Sequence, residues 1–454
     1  MRVYSNVLEM IGRTPMLKLS RFDVGPCELF LKLELANPAG SIKDRIGVSM
    51  IQAAEQRGQL KPGDMIVEAT AGNTGLGLAL VAAQKGYRLT LVVPDKMSQE
   101  KIFALRAMGA EVVLTRSDVG KGHPEYYQDL GEALAKQHNA LFINQFANPD
   151  NPKAHAETTG PEIWEQLEHK LDAIVLGVGS SGTLAGLSKY FKEVAPHVEM
   201  VLADPVGSGL AQYVRTGDLG PPGSWLVEGI GEDFLPPISD FSMTKHAYEI
   251  SDEESFNIAR ELLHKEGVLA GSSTGTLLAA ALRYCRDQTT PKRVVTFACD
   301  TGNRYLSKLF NAFWMQDQGF ISRPACGDLR DLIGRPHGEH ATITVGPDDT
   351  VATAHNRLRN AGFSQLPVMQ GEQLIGIVSE DDIMRYAFGH PERFKSSVRK
   401  AMTATFLRVE KSQSMNNLVA MLEVRSAAAV MDGETFLGLI TRADVLNYLR
   451  RQVK

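Results

Sequence analysis

Lys43 is the residue of this sequence that is best placed to bind a carbonyl compound covalently. It lies in residues 37–45 (NPAGSIKDR), between a glycine turn and the start of a predicted helix, and it follows the apolar segment 29–33. Burial at such a junction disfavours the ammonium form of a lysine, and the free amine is the form that attacks a carbonyl group. A solvated lysine at the start of a helix is the alternative, and Lys43 alone does not exclude it.

Three loops rich in glycine and hydroxyl residues each precede a predicted helix. Residues 70–74 read TAGNT, residues 177–183 read GVGSSGT and residues 270–276 read AGSSTGT. Backbone N–H groups at a helix start favour an anion, so the first loop suits a carboxylate and the second suits a phosphate. For the first and third loops, a plain helix cap explains the same residues.

The second loop also fits a dinucleotide-binding motif. Gly177, Gly179 and Gly182 match G-x-G-x-x-G, and Asp204 follows at the end of the next predicted strand, where ribose recognition requires an acid. Taken alone, this pattern favours a nicotinamide enzyme. The hydroxyl groups of the loop suit a phosphate monoester better, because each of them adds a donor.

The alternation of strand-like and helix-like segments predicts the fold class. From residue 1 to about residue 320, apolar β-rich segments alternate with helical ones, which is typical of parallel sheets covered by helices on both faces. We therefore expect an α/β domain with two lobes over residues 1–320. Residues 321–334 are expected to form a linker, since they are rich in proline, glycine and charged residues.

The remaining sequence contains an internal repeat. Residues 366–386 align with residues 428–448 at one constant offset, and each copy is predicted to form a strand, a tight turn, a second strand and a helix. This pattern divides the C-terminal part into a first repeat, 335–392, and a second repeat, 396–454.

Composition excludes several classes of protein. The net charge of −5 gives no electrostatic reason to expect nucleic acid or an acidic membrane as a partner. No signal peptide is visible, and the apolar segments are too short to span a bilayer. Four scattered cysteines, without a CxxC pair, predict free thiols in the cytoplasm and no metal site: Cys27, Cys285, Cys299 and Cys326.

A reactive lysine, a phosphate loop, a carboxylate loop and a hydroxyl for a heterocyclic nitrogen together describe a pyridoxal phosphate site. Residues 1–320 resemble the fold-type-II pyridoxal phosphate enzymes of the cysteine synthase and cystathionine β-synthase family. The motifs that carry the resemblance occur in family order: IGRTPM, PAGSIKDR, AGNTG, NQF, GVGSSGT, EGIG and AGSSTGT. The repeat resembles the pair of regulatory domains that forms a Bateman module.

The resemblance implies a role for each matching residue. Lys43 matches the lysine that binds pyridoxal 5′-phosphate, Asn73 matches the residue that holds its 3′-oxygen, and Ser273 matches the serine at its pyridine nitrogen. The residues that match the phosphate loop are Gly179, Ser180, Ser181, Gly182 and Thr183. The residues that match positions around the substrate carboxylate are Thr70, Ala71, Gly72, Thr74 and Gln145.

Two positions depart from the family pattern. Ala71 stands where the family usually has serine, which removes one side-chain donor to the substrate. Glu232 replaces a tyrosine of animal relatives, and we expect it to contact the second substrate. The Cys and His pair of an N-terminal haem segment is absent, so no haem is expected.

The reaction implied by the resemblance is a β-replacement. L-Serine and L-homocysteine would condense to L-cystathionine, and cysteine plus homocysteine would release hydrogen sulfide. Lys43 would act as the general base, and the neutral Ser273 partner would favour loss of the β-substituent. A cysteine synthase that uses O-acetylserine and sulfide is the alternative, because it needs the same residues. A sensor with an inactive α/β lobe is a third hypothesis, which the intact cofactor motifs disfavour.

The repeats carry a second set of candidate ligand residues. Ser379 with Asp382, and Thr441 with Asp444, show the spacing [ST]-x-x-D where a strand meets a helix. The resemblance implies an adenosyl ligand, S-adenosylmethionine first or else an adenine nucleotide, whose ribose hydroxyls would bind the aspartate. Phe363 and Gln365 are expected to complete this site, and Phe363 would stack on the purine. Helix capping alone is the alternative. The assembly is expected to be a homodimer or a higher homo-oligomer.

Overall fold

The computed structural model describes residues 3–70, 72–120 and 122–452, which form two compact units, Met1–Phe310 and Asn311–Lys454. The predicted α/β fold class is confirmed, since parallel sheets with covering helices make up the first unit. The domain boundaries at residues 320, 334 and 392 stay predictions. Among the helices of the described ranges, none is both long and apolar enough to cross a lipid bilayer.

The strands of the first unit are, in chain order, β1 (Met16–Lys18), β2 (Glu28–Lys32), β3 (Met65–Ala69), β4 (Arg88–Pro94), β5 (Glu111–Thr115), β6 (Leu141–Phe142), β7 (Ala173–Leu176), β8 (Glu199–Pro205), β9 (Thr244–Ile250) and β10 (Arg293–Phe297). They form a six-stranded sheet, in the order β1-β2-β10-β7-β8-β9, and a four-stranded sheet, in the order β5-β4-β3-β6. All pairs are parallel except β1 with β2. Two parallel sheets give the two lobes that the alternating pattern predicts.

The helices of the first unit are α1 (Lys43–Gln56), α2 (Asn73–Lys85), α3 (Gln99–Ala107), α4 (Tyr127–Gln137), α5 (Asp150–Ala154), α6 (Gly160–Gln166), α7 (Gly182–Val194), α8 (Leu210–Thr216), α9 (Asp252–Glu266) and α10 (Ser272–Arg286). A π-helical turn, His155–Thr159, joins α5 to α6. The smaller sheet shares one apolar core with α1 and α2, which contribute fully buried side chains such as Ile46, Met50 and Leu78. The loop after β3 leads into α2, and the loop after β7 leads into α7. A third loop leads into α10.

The second unit contains helices α11 (Ala312–Asp317), α12 (Val351–Ala361), α13 (Glu380–Ala387), α14 (Met415–Val424) and α15 (Arg442–Gln452), and strands β11 (Gln365–Gln370), β12 (Gln373–Ser379), β13 (Arg408–Glu410), β14 (Ala427–Asp432) and β15 (Thr435–Thr441). The hairpins β11–β12 and β14–β15 shift register at equivalent places, Val368/Met369 and Val430/Met431. The predicted repeat of strand, turn, strand and helix is therefore present in the structure.

The core of each repeat includes a residue from outside the predicted bounds of that repeat. Leu332 and Ile333 pack in one apolar cluster with Val430 and Ile440 of the second repeat. Val398, which precedes β13, packs instead with the core of the first repeat. Sequence comparison of the two copies could not predict this packing, because it depends on contacts between segments that are not aligned with each other.

Candidate active site

Lys43 is the first residue of α1, at a place where α1 and α2 approach each other closely. A Cβ atom at Gly77 would lie 2.5 Å from the Lys43 carbonyl oxygen, and one at Gly47 would lie 2.7 Å from the Gly77 backbone. Only glycine permits this close approach of the two helices. The two glycines therefore fix the position of Lys43, on α1, relative to α2. Burial lowers the pKa of Lys43, while the nearby Cys299 and Asp300 act in the opposite direction. A lowered pKa favours the free amine, which is the form of lysine that acts as a nucleophile or a base.

The second glycine loop ends in an uncapped helix start. Ser181 adopts a φ of 70° at the N-cap of α7, and its side chain makes no hydrogen bond to the helix. The Ser181 Oγ atom is buried and has no partner among the described residues. Ser180 Oγ accepts a hydrogen bond from Asn151 Nδ2 at 3.0 Å, and a Cβ at Gly182 would collide with Asn151. A bound anion would satisfy both the buried hydroxyl and the free N–H groups.

A neutral histidine lies behind the same loop. Thr183 Oγ1 is 3.3 Å from His155 Nε2, and His155 Nδ1 is 3.0 Å from Thr159 Oγ1. Burial holds the pKa of His155 well below its usual range, and the positive charges of Lys43 and Arg45 lower it further. His155 therefore orients Thr183 and adds no charge to the loop. The sequence pattern around His155 did not identify it.

The first loop gathers the residues predicted around a substrate carboxylate. Thr70 Oγ1 accepts a hydrogen bond from the Gly72 N–H at 3.1 Å, and Thr74 Oγ1 donates to Gln145 Oε1 at 2.7 Å. Gln145 Nε2 in turn donates to a main-chain carbonyl of β3 at 3.3 Å. Thr70, Gly72, Thr74 and Gln145 thus come together at the start of α2, whereas Ala71 lies outside the described residues.

Ser273 lies buried in the first turn of α10, beside Cys299. The N-cap of this helix is Gly271, which offers no side-chain cap, so the third loop also ends in an uncapped start. Ser273 is within hydrogen-bonding reach of the Cys299 thiol, and burial raises the pKa of that thiol to about 12. Cys299 is therefore a neutral thiol next to Ser273 and Lys43, and the sequence did not predict its place there.

Glu232 faces the loop of residues 177–183. Its Oε1 atom lies 3.9 Å from the position that a Cβ at Gly179 would occupy. Burial raises the pKa of Glu232 to about 8, and the neighbouring Asp233 charge adds to this, while Lys96 opposes it. Glu232 is therefore largely protonated at neutral pH in the protein alone.

Asp204 does not take the position that dinucleotide binding would require. It is fully buried, and its Oδ2 atom accepts a hydrogen bond from the Ala211 N–H in α8 at 2.7 Å. Asp204 is completely buried, so neither of its carboxylate oxygens is presented to a ribose. The burial of Asp204 therefore disfavours the interpretation of this chain as a nicotinamide enzyme, which required Asp204 to bind the ribose.

Asp382 of the first repeat has hydrogen-bond partners on both carboxylate oxygens. Ser379 and Asp382 form a capping box, in which Asp382 Oδ2 accepts from the Ser379 N–H at 2.9 Å and from its Oγ at 2.6 Å. Asp382 Oδ1 accepts from Thr403 Oγ1 at 2.9 Å. The structure therefore explains this pair as a helix cap without any ligand.

Asp444 of the second repeat keeps one oxygen available. Its Oδ2 accepts from the Thr441 N–H at 2.7 Å and from Thr441 Oγ1 at 2.5 Å. Its Oδ1 accepts no hydrogen bond within the described part of the chain and faces Gly334, where a Cβ would lie 2.8 Å away. The next residue, Arg335, lies with its guanidinium 5.2 Å from the centre of the Phe363 ring. A purine on that face of Phe363 would have to displace Arg335.

Gln365, the remaining candidate of the regulatory set, is buried at the start of β11. Its Oε1 atom accepts a hydrogen bond from Ser426 Oγ at 3.0 Å. The described residues contain no group of three or more His, Cys, Asp or Glu that could hold a metal ion. All four cysteines are free thiols.

Comparison with known proteins identifies the family of each unit. Residues 7–300 match the model of the pyridoxal-phosphate dependent enzymes, and residues 339–389 match that of the CBS domain. Cystathionine beta-synthase from Apis mellifera is 34% identical over 99% of this chain and 92% of that protein. Cysteine synthase B from Salmonella typhimurium is 42% identical over 66% of this chain and 95% of that protein.

Two solved structures resemble the first unit. A hydrogen sulfide-producing enzyme from Fusobacterium nucleatum has 36% identity and a TM-score of 0.63, covering 67% of this chain and 100% of that chain. An O-acetylserine dependent cystathionine beta-synthase from Helicobacter pylori has 37% identity and a TM-score of 0.63, covering 68% of this chain and 99% of that chain.

Proposed function

This chain belongs to the pyridoxal-phosphate dependent enzyme family, and on that premise we propose that it condenses L-serine with L-homocysteine to L-cystathionine. The observation that carries the proposal is the set of uncapped starts of α2, α7 and α10, together with Lys43 against α2. At one of these starts the Ser181 hydroxyl is buried without a partner among the described residues. Pyridoxal phosphate has an aldehyde for the lysine and a phosphate for this hydroxyl. The full-length similarity to cystathionine β-synthases supports this choice of reaction within the family.

The residues of the site fit this cofactor. Ser181 Oγ and the N–H groups at the start of α7 would hold the phosphate, and Thr183 would add a hydroxyl that His155 orients. Ser273 would lie at the pyridine nitrogen and, as a neutral partner, would leave the ring weakly protonated. When bound, the cofactor supplies an electron sink for the carbon next to the substrate amino group.

Lys43 carries the proton transfers of the reaction. Burial lowers its pKa and so favours the free amine, which is the form that can remove the proton from Cα of serine. The same Nζ atom would then give that proton to the β-hydroxyl, which leaves as water. Nζ would next take the thiol proton of homocysteine as the sulfur bonds to Cβ, and would pass this proton to Cα. A single buried base suffices, and His155, whose pKa is too low for protonation at neutral pH, takes no part.

The start of α2 binds and orients the amino-acid substrate. Free N–H groups of the loop would hold the serine carboxylate, while Thr70 and Thr74 would add hydroxyl contacts. The bond from Thr74 to Gln145 fixes the amide of Gln145 before the substrate arrives. Preorganised donors of this kind place Cα within reach of Lys43.

Glu232 recognises the second substrate in this proposal. Its carboxyl group faces the phosphate loop and holds a proton up to about pH 8 in the absence of substrate. The ammonium group of homocysteine would draw it into the ionised form and bind it. A hydrogen bond between such charged groups contributes roughly 1.5–3 kcal/mol.

A cysteine synthase that uses O-acetylserine and sulfide is the second candidate. The 42% identity to the Salmonella cysteine synthase B favours it, and so does the O-acetylserine dependence named for the Helicobacter structure. Hydrogen sulfide release from cysteine plus homocysteine is a further activity of the same site, by analogy with the Fusobacterium enzyme. All three reactions use Lys43 in the same way.

A two-by-two assay separates these candidates. Purified protein is supplied with serine or O-acetylserine as donor and with homocysteine or sulfide as acceptor, and the amino-acid products are measured. We expect cystathionine from serine plus homocysteine as the preferred reaction, and no product from Lys43→Ala. A preference for cysteine from O-acetylserine plus sulfide would establish the second candidate instead.

For the second unit we propose an adenosyl ligand, S-adenosylmethionine first, at Asp444 and Thr441. The free Asp444 Oδ1 is suited to a ribose hydroxyl, whereas both oxygens of Asp382 already have partners. The working form is proposed to be a cytoplasmic homodimer or higher homo-oligomer. Calorimetry with S-adenosylmethionine, AMP and ATP tests the ligand, and sedimentation tests the assembly.

A further inference from the structure

We propose that Asp300 is a positioning residue for the cofactor, because it fixes the amide of Asn73 in the one orientation that presents an N–H group to the cofactor's 3′-oxygen. This inference rests on the proposed function, since it assumes pyridoxal phosphate next to Asn73. None of the motifs that link this chain to its family includes Asp300, which lies far from Asn73 in the sequence.

The contacts of Asn73 leave its amide no freedom to flip. Asn73 Nδ2 donates to Asp300 Oδ2 at 2.8 Å, and Asn73 Oδ1 accepts from Arg304 Nη1 at 3.0 Å. A carboxylate can only accept and a guanidinium can only donate, so the two partners dictate which end of the amide is which. One N–H of Nδ2 is used by Asp300, and the second remains for a ligand oxygen.

Asp300 is itself held by a second hydrogen bond. Its Oδ2 atom accepts from the Tyr305 hydroxyl at 2.7 Å, and both residues are almost completely buried. The same hydroxyl accepts a bond at 2.8 Å from Lys101 Nζ, which also pairs with Glu228 at 2.7 Å. Lys101 lies on α3, beside the smaller sheet, so this chain of contacts fixes Asn73 relative to both lobes.

Glycines in the surrounding loops make room for these side chains. A Cβ at Gly271 would lie 2.0 Å from Asp300 Oδ1, and a Cβ at Gly40 would lie 3.1 Å from Arg304 Nη2. A Cβ at Gly72 would lie 2.9 Å from Lys101 Cδ. Each of these three loops therefore leaves space for one side chain of the network around Asn73: the loop of Gly40 for Arg304, that of Gly72 for Lys101 and that of Gly271 for Asp300.

The test measures binding of a cofactor analogue to the apoprotein, separate from activity. Pyridoxine 5′-phosphate keeps the 3-hydroxyl and the phosphate but has no aldehyde that could react with Lys43. We expect Asn73→Ala and Asp300→Ala each to weaken its binding by about tenfold or more, the size of one hydrogen bond to a charged oxygen. The double variant should bind no more weakly than either single variant, because Asp300 acts through Asn73.

Further variants separate positioning from a general structural role. Asp300→Asn keeps an acceptor for Asn73 and should bind the analogue nearly as well as the wild type. Asp287→Ala is the matched control, since Asp287 also accepts from a tyrosine hydroxyl, that of Tyr248 at 2.7 Å, but on the surface. Thermal unfolding of each apoprotein reports whether a variant folds.

Three results would overturn the proposal. Losses that add in the double variant would mean that Asp300 supports the fold without acting through Asn73. Unchanged binding by Asp300→Ala, or a loss as large in Asp300→Asn, would also contradict it. If the wild-type apoprotein bound neither the analogue nor pyridoxal phosphate, the proposed function itself would fail, which is distinguishable from a defect confined to the Asp300 variants.

Discussion

Three helix starts at the candidate active site of the first unit lack a side-chain cap, whereas the start of α13 in the second unit has one. In the first unit, α2, α7 and α10 begin behind Gly72, Ser181 and Gly271, and none of these three residues caps its helix through a side chain. In the second unit, Ser379 and Asp382 form a complete capping box at the start of α13. A serine before a helix therefore caps the helix in one case, Ser379, and leaves it uncapped in the other, Ser181.

This difference separates ligand sites from structural caps. An uncapped helix start, together with a buried hydroxyl such as Ser181 Oγ, is unfavourable until a ligand supplies the missing partners. A capped start has N–H groups that are already satisfied within the protein, so those groups do not need a ligand. The comparison therefore predicts that equivalent substitutions in the two units change different quantities.

Replacement of Ser181 gives the largest expected effect. Ser181→Ala should weaken pyridoxal phosphate binding by about 1.5–3 kcal/mol, because the hydroxyl is expected to donate to the charged phosphate. The apoprotein should unfold at the same temperature or higher, since Ser181 Oγ has no partner to lose among the residues that the structure describes. Titration of the apoprotein with cofactor and thermal unfolding measure the two effects.

Ser379→Ala is the matched variant in the second unit. It should lower the free energy of unfolding by about 0.5–2 kcal/mol, as expected for a lost N-cap, and leave cofactor binding unchanged. If Ser181→Ala instead destabilised the apoprotein as much as Ser379→Ala does, the contrast between the two kinds of helix start would be wrong.

The two aspartates of the repeats provide a smaller contrast. Asp382→Ala removes an acceptor used by Ser379 and Thr403, so we expect a loss of stability of about 1 kcal/mol with no change in ligand binding. Asp444→Ala should weaken any adenosyl ligand instead. Calorimetry with S-adenosylmethionine on both variants is the measurement. If both substitutions weakened binding equally, Asp382 would bind the ribose although both of its oxygens already accept hydrogen bonds within the protein.

The pH dependence of Glu232 gives the smallest expected effect. The pKa of Glu232 is raised to about 8 in the folded protein, so the KM for homocysteine should fall as the pH rises through about 8 and the carboxylate forms. The folded state binds this proton more tightly than the unfolded state, so Glu232 makes stability decrease from about pH 4.5 to about pH 8. Glu232→Gln should remove both dependences. A KM that keeps its pH profile in Glu232→Gln would assign the titration to another group.

The sequence predicted well that the glycine-rich loops lead into helices, because local motifs carry the geometry of a helix start. Lys43 and residues 177–183 are each followed by a helix, and a glycine turn at a helix start restricts what the backbone can do there. The sequence could not tell whether Ser181 or Ser379 caps its helix, because both are serines before a helix. The positive φ of Ser181 decides this, and it depends on packing against residues such as Asn151.

The parts that the sequence missed depend on contacts over long separations. Asp300 and Lys101 reach the neighbourhood of Asn73 from other sheets and helices, so no local pattern indicates their role. The packing of Ile333 in the core of the second repeat, and of Val398 in the core of the first, could not be predicted for the same reason. Buried polar networks are decided by tertiary packing, which spacing along the chain does not report.

The most direct test of the proposed catalytic site is to identify the lysine that binds pyridoxal phosphate. The protein is loaded with the cofactor, reduced with borohydride to make the bond permanent, digested and sequenced by mass spectrometry. We predict a pyridoxyl group on Lys43 and an absorbance of the lysine-bound cofactor that Lys43→Ala abolishes. A label on another lysine, or a wild-type protein that gains no chromophore from added cofactor, would contradict the assignment.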